Sequence, residues 1–291
     1  MSKALIREWV PPIALRAANR LIGAETRFRG PYIDWTSAIA ATSGYAHEDI
    51  LQRVRVATER ALASNQSYEQ DGVVNNSPPP SHALSSLLAI AGSIGGVATV
   101  VDFGGSLATH YLRWRPWLRV LRDVRWHVIE QPHFAEAGRQ LFAGHPAVSF
   151  GSTIDSARDL RPHIVLASGS IQYVQDPMAK LQELMGLRPA GIVLDRTICA
   201  DDGRQRLLTQ HVPWTIVRAS YPMWLLSQAS IAACLDRHYT HLVDFVSDDP
   251  PIRQAHHRAT YRGSAWLRKL PFPAIESSVA QTDSPNAHQR L

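Results

Sequence analysis

Two acids and a pair of glycines have the types and spacing to bind a ligand. Asp102-Phe-Gly-Gly-Ser-Leu-Ala108 follows the β-branched run Val97–Val101, and Glu130-Gln131 closes the run that begins at Trp126. Gly104 and Gly105 remove side chains where a backbone turns tightly and approaches a ligand. An acid directly at a strand end repels a pyrophosphate and attracts a cationic or zwitterionic nucleoside. An acid ending the next strand, where Glu130 stands, accepts hydrogen bonds from ribose hydroxyls. Asp102 and Glu130 are 28 residues apart, against about 20 in the dinucleotide fingerprint. An inserted turn around Arg113–Pro116 absorbs the difference. Either acid alone reads equally as a helix cap; the two at successive strand ends favour a nucleoside.

Two further strand ends carry candidates. Ser168-Gly-Ser-Ile-Gln-Tyr173 offers small residues that leave room in a crevice, with Gln172 and Tyr173 as substrate contacts. Asp195-Arg196-Thr197 sets charges directly after a buried run. Arg196 there either grips an anionic substrate group bidentately or pairs with Asp195.

The elements that must position these residues follow from the apolar pattern. Short runs at Val97–Val101, Trp126–Glu130, Ala147–Phe150, His163–Ala167 and Gly191–Leu194 are nearly continuous in apolar residues, as in a parallel sheet buried on both faces. The stretches between them are long enough for crossover helices. An α/β, doubly wound sheet follows, with Thr215–Arg218 and Leu242–Val246 as an antiparallel edge pair. Residues 37–64 read as one amphipathic helix, and residues 82–93 as a buried helix before the glycine turn Gly95-Gly96. The uncharged run Ala83–Val101 is nineteen residues long, enough to register as a membrane span, but its serines and glycines fit the helix–turn–strand reading better. The expected division is a basic amphipathic N-terminal segment (1–30), a helical accessory or cap segment (31–96), the sheet domain (97–270) and a disordered tail (271–291). The N-terminal helix fits an anionic membrane surface or, more simply, a face of its own domain or of a partner chain.

Composition sets the outer bounds. The 291 residues are 45% apolar and 19% charged, which excludes wholesale disorder. Thirty Lys+Arg against twenty-five Asp+Glu give +5, and all the basic residues but Lys3, Lys180 and Lys269 are arginine. Codon usage alone produces such a bias, so a nucleic-acid partner is not favoured. The stretch Tyr111–Arg125 interleaves arginine with aromatics, which suits RNA; the simpler reading is the solvated face of a helix with its tryptophans in the core. Cys199 and Cys234 allow at most one bridge, so a reducing, cytoplasmic setting is the default. The thirteen histidines include adjacent His256-His257 and the pair His238 and His241, but no convincing ligand spacing, and no metal site is expected.

Taken together, Tyr68-Glu-Gln-Asp71, Val101-Asp-Phe-Gly-Gly-Ser-Leu107, Trp126-His-Val-Ile-Glu-Gln131, Leu166–Tyr173, Leu194-Asp-Arg-Thr197 and Ala219–Trp224 resemble the class I S-adenosylmethionine-dependent methyltransferases. The closer match is to a methyltransferase family found near bacterial surface-polysaccharide and O-antigen genes, whose acceptor is not established; it covers roughly residues 30–247. The resemblance implies a Rossmann-like, mostly parallel seven-strand sheet with S-adenosylmethionine over the first glycine turn. Asp102 and Gly104 carry over as the start of the cofactor loop and Glu130 as the ribose acid. Gly105, Ser106, Gln131, Ser168 and Tyr68 complete the expected cofactor contacts. Where this family usually has Ser-Leu-Gly, the chain has Ser106-Leu-Ala108, tolerable if the backbone there is not at positive φ. The implied reaction is methylation of a small-molecule or glycan hydroxyl in cell-surface polysaccharide synthesis. Candidate bases are Asp195, His110, five residues past the glycine turn, and His211, placed at a helix end where it would otherwise cap carbonyls. Tyr68 and Asp71 either close over the cofactor or anchor a loop. RNA methylation and a catalytically silent, nucleoside-binding scaffold of a glycan-assembly complex are the alternatives; oligomer formation is left open.

Overall fold

The computed structural model describes residues 26–43, 48–64, 67–70, 72–76, 81–212, 219–247, 249–254 and 257–269. The N-terminal amphipathic helix, Asp71, the strand expected at Thr215–Arg218, His256 and the expected tail lie outside the described residues.

The strands in chain order are β1 (Arg27–Tyr32), β2 (Ser67–Gln70), β3 (Val73–Asn76), β4 (Val97–Phe103), β5 (Asp123–Ile129), β6 (Val148–Gly151), β7 (Ile164–Ser168), β8 (Gly191–Ala200), β9 (Arg206–His211), β10 (Ser220–Leu225), β11 (Tyr239–Val246), β12 (Ile252–Gln254) and β13 (His257–Arg268). The helices are α1 (Trp35–Ala40), α2 (Glu48–Leu62), α3 (His82–Ser93), α4 (Thr109–Leu118), α5 (Pro132–Leu141), α6 (Pro177–Met185) and α7 (Gln228–Leu235).

The fold is α/β and Rossmann-like. Its central sheet runs β11-β13-β8-β7-β4-β5-β6, with short β12 attached to β13. Strands β4 to β8 are mutually parallel, and β13 is antiparallel to both β8 and β11. Period-two alternation splits the strand side chains between two cores. Ala98, Val100, Trp126, Val128, Ile164, Leu166 and Val193 meet Leu84, Leu87, Ile90, Leu112 and Trp114 on one face. Val101, Ile129, Val165, Ala167, Ile192 and Leu194 meet Leu181, Leu184, Ile231 and Leu235 on the other. Burial on both faces is why these strands carry nearly unbroken apolar runs.

Several expectations are corrected here. The partner of the edge strand β11 is β13, whose sequence His257–Arg268 mixes arginine with small residues and holds only the three-residue apolar run Ala265–Leu267. The helix expected over 37–64 is two helices. Between them Ser43 exchanges hydrogen bonds with Ser220 of β10, N–H to Oγ at 2.9 Å in one direction and 3.1 Å in the other, which draws the chain away from a continuous helix. The segment expected as a helical cap also holds the hairpin β2–β3, and its helix α3 packs on the central sheet itself. That helix has the expected bounds: Ser81 Oγ accepts the Leu84 N–H at 3.1 Å, and Gly95 and Gly96 turn out of it at φ +87° and +76°. Among the described residues no helix is long and apolar enough to cross a membrane.

Strand β8 does not end at Leu194. Leu194 faces Ser264 and Thr197 faces Arg262, so Asp195 and Arg196 together oppose Gly263 as a β-bulge, with Arg196 at φ +48°. A Cβ on Gly263 would fall 2.0 Å from the Phe245 ring, so glycine is required opposite the bulge. Beyond it, Ile198 and Ala200 join a separate core with Leu208, Met223 and Leu225 from the antiparallel sheet β1-β9-β10.

Candidate functional site

Consecutive strands step outward on opposite sides of β4, which lies between β5 and β7. This is the switch point at which open α/β sheets form a ligand crevice beyond the strand carboxyl ends. A cavity of about 1180 Å³ stands there, walled by the turns after β4, β5 and β7 and by α2, α4, β2, β9 and β10.

Its floor is the glycine turn. Gly104 N–H donates to Ile129 O at 2.9 Å, tying the turn to β5. A Cβ on Gly104, at φ +74°, would lie 2.4 Å from Ser170 Cβ, and one on Gly105 would lie 2.4 Å from the Asp102 carboxyl carbon. Neither position admits a side chain. Ser106 and Ala108 are also left-handed, at φ +54° and +62°. The departure at Ala108 therefore falls on the backbone conformation in which a methyl is strained.

Asp102 is behind this floor and not on the cavity wall. It is fully buried, and its Oδ2 accepts Trp126 Nε1–H at 3.0 Å and bonds His110 Nδ1 at 3.1 Å. Its Oδ1 has no partner among the described residues. Because a carboxylate only accepts, Nδ1 is the donor in this bond, and Nε2 is the ring nitrogen Asp102 does not engage. His110 lines the cavity; its ring packs on Trp114 with centroids 5.2 Å apart.

Glu130 lines the cavity directly after β5. Its Oε1 accepts Ser106 N–H at 3.3 Å and its Oε2 accepts Gln131 N–H at 2.8 Å. Burial pushes its carboxyl above the usual glutamate range; the Gln131 and Ser106 N–H bonds pull it down, and the Asp102 charge adds a smaller upward push. Ser106, Gln131 and Ser168 lie on the same cavity, so of the expected cofactor contacts the structure gathers Gly104, Gly105, Ser106, Glu130, Gln131 and Ser168.

Tyr68 is not among them. It is buried in the core with Ala61, Leu84 and Leu112, while its neighbours Glu69 and Gln70 line the cavity. Glu69 is 1% exposed; its Oε2 accepts Thr109 Oγ1–H at 2.6 Å and its Oε1 accepts Gly72 N–H at 2.8 Å. A short strand with a one-residue error of phase swaps the two roles.

Of the three candidate bases, only His110 is on the wall. Asp195, in the bulge, is held behind it by Ser247 Oγ at 2.7 Å and Ser168 Oγ at 3.3 Å. His211 ends strand β9, not a helix. Its Nε2 bonds Thr209 Oγ1 at 3.0 Å, and burial, then the Arg29 charge, push its imidazole below the usual range. Its neighbours Gln210 and Val212 line the cavity and it does not.

Arg196 reaches the wall with its fork engaged. Its Nε and Nη2 donate to Asp249 at 2.8 and 3.1 Å, so its bidentate partner is Asp249, not Asp195. Beside it stands an aromatic wall of Tyr173, Tyr221 and Tyr261. Tyr173 donates to Gln210 Oε1 at 2.9 Å, and its ring meets that of Tyr221 edge-on with centroids 5.2 Å apart. Burial pushes the Tyr173 phenol well above its usual range. Gln172 donates through Nε2 to Arg196 O at 3.0 Å, and its Oε1 has no partner among the described residues. Tyr221, Tyr261 and Gln210 escaped the sequence reading because they come from separate strands of mixed polarity.

The arginine–aromatic stretch disperses in space. Trp114 is buried, Arg115 donates to the carbonyls of Ala61, Ser64 and Ser67, and Arg125 faces Asp123 at 3.6 Å. Arg113, expected on the solvated helix face, instead lines the cavity with its guanidinium carbon 5.6 Å from the centre of the Tyr68 ring.

No protein-family model and no curated protein matches this chain. Several solved structures are similar to it. The N-terminal domain of EvdMO1, determined in the presence of SAH and D-fucose, is 14% identical over 75% of this chain and 97% of that one, with a TM-score of 0.47. The CcbJ methyltransferase from Streptomyces caelestis is 12% identical over 75% and 99%, with a TM-score of 0.43. Magnesium protoporphyrin IX methyltransferase (ChlM) from Synechocystis PCC 6803, with bound SAM, is 11% identical over 92% and 97%, with a TM-score of 0.41. Identities of this order carry no residue's role across.

Proposed function

We propose that this chain is an S-adenosylmethionine-dependent methyltransferase that O-methylates a sugar or glycan intermediate of cell-surface polysaccharide synthesis. The observation that carries the cofactor half is Glu130, whose carboxylate lines the cavity at the end of β5 beside a turn whose two glycines admit no side chain. The cavity also exceeds the usual ~300–1,000 Å³ of a single-ligand pocket, leaving room for an acceptor beside a nucleoside. The bound cofactor supplies an electrophilic sulfonium methyl.

This chain's own residues then hold and align. Glu130 accepts the ribose hydroxyls, Gly104 and Gly105 let the ligand lie against backbone, and Ser106, Gln131 and Ser168 border it. Orientation of this kind contributes about 7–11 kcal/mol to a two-reactant step. Gln172, Tyr173 and the neighbouring tyrosines offer an acceptor a neutral wall of rings, amides and hydroxyls, suited to a sugar. Arg196, occupied by Asp249, is set aside as an anion grip. His110 is the base: Asp102 orients it through Nδ1, and Nε2 takes the acceptor proton, a contribution of about 10²–10⁴-fold. The expected setting is cytoplasmic, with the N-terminal segment packed on its own domain or a partner chain and contact with the inner face of the membrane as the alternative.

Calorimetric binding of S-adenosylmethionine and S-adenosylhomocysteine tests the cofactor half. Replacing Glu130 with alanine should weaken both by about 10–100-fold, the loss of hydrogen bonds to a charged acceptor. No binding to folded wild-type protein sinks the reading. Two of three candidate bases lying off the cavity favours one other reading, a silent nucleoside-binding scaffold. Binding without methyl transfer to any lipid-linked or nucleotide-activated sugar supports it. With His110 as the base, His110→Gln lowers the transfer rate by about 10²–10⁴-fold while leaving S-adenosylhomocysteine affinity unchanged.

A further inference from the structure

Arg113 is a cavity-lining cation that the reading above leaves without a role. It projects from the second turn of α4, the helix that leaves the glycine turn, and it lines the cavity. Its guanidinium carbon stands 5.6 Å from the centre of the Tyr68 ring. Its Nε is buried with no hydrogen-bond partner among the described residues. A guanidinium kept partly out of water without a counter-charge is costly, and the neighbouring charges do not relieve it. Glu69 accepts from Thr109 and Gly72, Asp102 is closed behind the floor on His110 and Trp126, and Arg115 is a second cation held by three carbonyls.

The placement of Arg113 says what it faces. Glu130 and Gln131 stand at the β5 flank of the glycine turn, whereas α4 and β2 form the other flank. A nucleoside whose ribose rests on Glu130 and whose 5′ carbon lies over Gly104-Gly105 directs its 5′ substituent toward Arg113. We propose that Arg113 holds the carboxylate of the cofactor's amino-acid arm, with Tyr68 as the platform that fixes its plane. The inference rests on the S-adenosylmethionine reading above and assigns the end of the ligand that Glu130 does not reach. A planar guanidinium matches a carboxylate in two parallel hydrogen bonds.

Two nucleosides separate the arms. S-adenosylhomocysteine carries the amino-acid carboxylate, and 5′-methylthioadenosine lacks the whole amino-acid group. Titration calorimetry on wild type, Arg113→Gln and Arg113→Lys reads both. In Arg113→Gln, S-adenosylhomocysteine should bind about 10–100-fold more weakly, and 5′-methylthioadenosine should bind as it does to wild type. Arg113→Lys should recover part of the loss, since it restores charge without the fork. Retained 5′-methylthioadenosine binding also shows that the variant is folded. Unchanged affinity for S-adenosylhomocysteine in Arg113→Gln, or an equal loss for both nucleosides, overturns the assignment while leaving the cofactor reading in place. Wild-type protein that binds neither nucleoside overturns both.

Discussion

The two ends of the cavity are built in opposite ways. At the β4–β5 end the wall is the sheet's own turns, where Gly104 and Gly105 admit no Cβ and Glu130 is fixed by two backbone N–H groups. At the β9–β10 end the wall is side chains already engaged with one another: Tyr173 with Gln210, Gln172 with the Arg196 carbonyl, Arg196 with Asp249. The first end is set by backbone geometry and tolerates almost no change. The second is a side-chain network whose members can be exchanged one at a time, which is where specificity is most readily altered. Its one charged group, Arg196, is paired with Asp249, whereas Arg113 across the cavity has a buried Nε with no partner among the described residues.

The contrast can be broken most severely at Gly105. Gly105→Ala drives a methyl into the buried Asp102 carboxyl group, and overpacking of this kind costs about 3 kcal/mol. Urea unfolding should register it, and a loss below about 1 kcal/mol would show that the floor yields.

Glu130 gives the next effect, read in binding. Burial raises its carboxyl in the folded protein, so its ionised form is disfavoured there. Below the ordinary glutamate value of about 4.3 both folded and unfolded chains are protonated and the group is neutral in its effect. As pH climbs from there through the raised value, the folded protein loses stability relative to a Glu130→Gln variant. On the proposed reading, in which ribose hydroxyls donate to the ionised form, affinity for S-adenosylhomocysteine should rise with pH over the same window, by up to about tenfold per pH unit. A flat profile in wild type, matching that of Glu130→Gln, would remove the carboxylate from the ligand's contacts.

Exchanges at the other end should be milder. Tyr173→Phe removes one hydrogen bond at a position where Gln210 can turn to the cavity, a loss of about 1 kcal/mol. Asp249→Asn breaks an ion pair whose side chains are 30% and 24% exposed, worth at most about 1 kcal/mol after solvent screening. If either approached the Gly105→Ala cost in the same urea series, the two ends would not differ in kind.

The smallest effect is expected at Ala108. The left-handed backbone there strains a methyl by about 1–2 kcal/mol. Burial of that methyl returns about 0.8 kcal/mol, and glycine would add about 0.4–1 kcal/mol of unfolded-state entropy. Ala108→Gly should therefore shift stability by less than about 1 kcal/mol in either direction, and a larger gain would mean the turn is held under more strain than its φ implies.

The same division governs what the sequence makes legible. Parallel strands buried on both faces leave apolar runs, and the turns at their ends leave glycines and acids, so β4, β5, β7 and the floor of the cavity can be read directly. Strand β8 shows the limit: Asp195-Arg196 looks like the end of a run because a bulge admits charges where a regular strand would not, and the strand resumes at Thr197. The aromatic wall leaves no local trace, since Tyr173, Tyr221 and Tyr261 come from three elements with no shared periodicity. Tyr68 and Glu69 were told apart only by phase, and Arg113 by which side of a helix faces solvent; both depend on packing that a neighbouring hairpin decides.

Arg115 joins two parts of the molecule that the chain itself connects only through a long detour. From α4 its Nη2 reaches the carbonyls of Ala61, Ser64 and Ser67, at 3.3, 2.7 and 3.0 Å. In mechanical terms it is a tension member between the end of α2, the start of β2 and the helix beneath them. The hairpin strand β2 and the helix α4 are thereby braced against one another, and amide exchange at Ser67–Gln70 should keep step with that of α4.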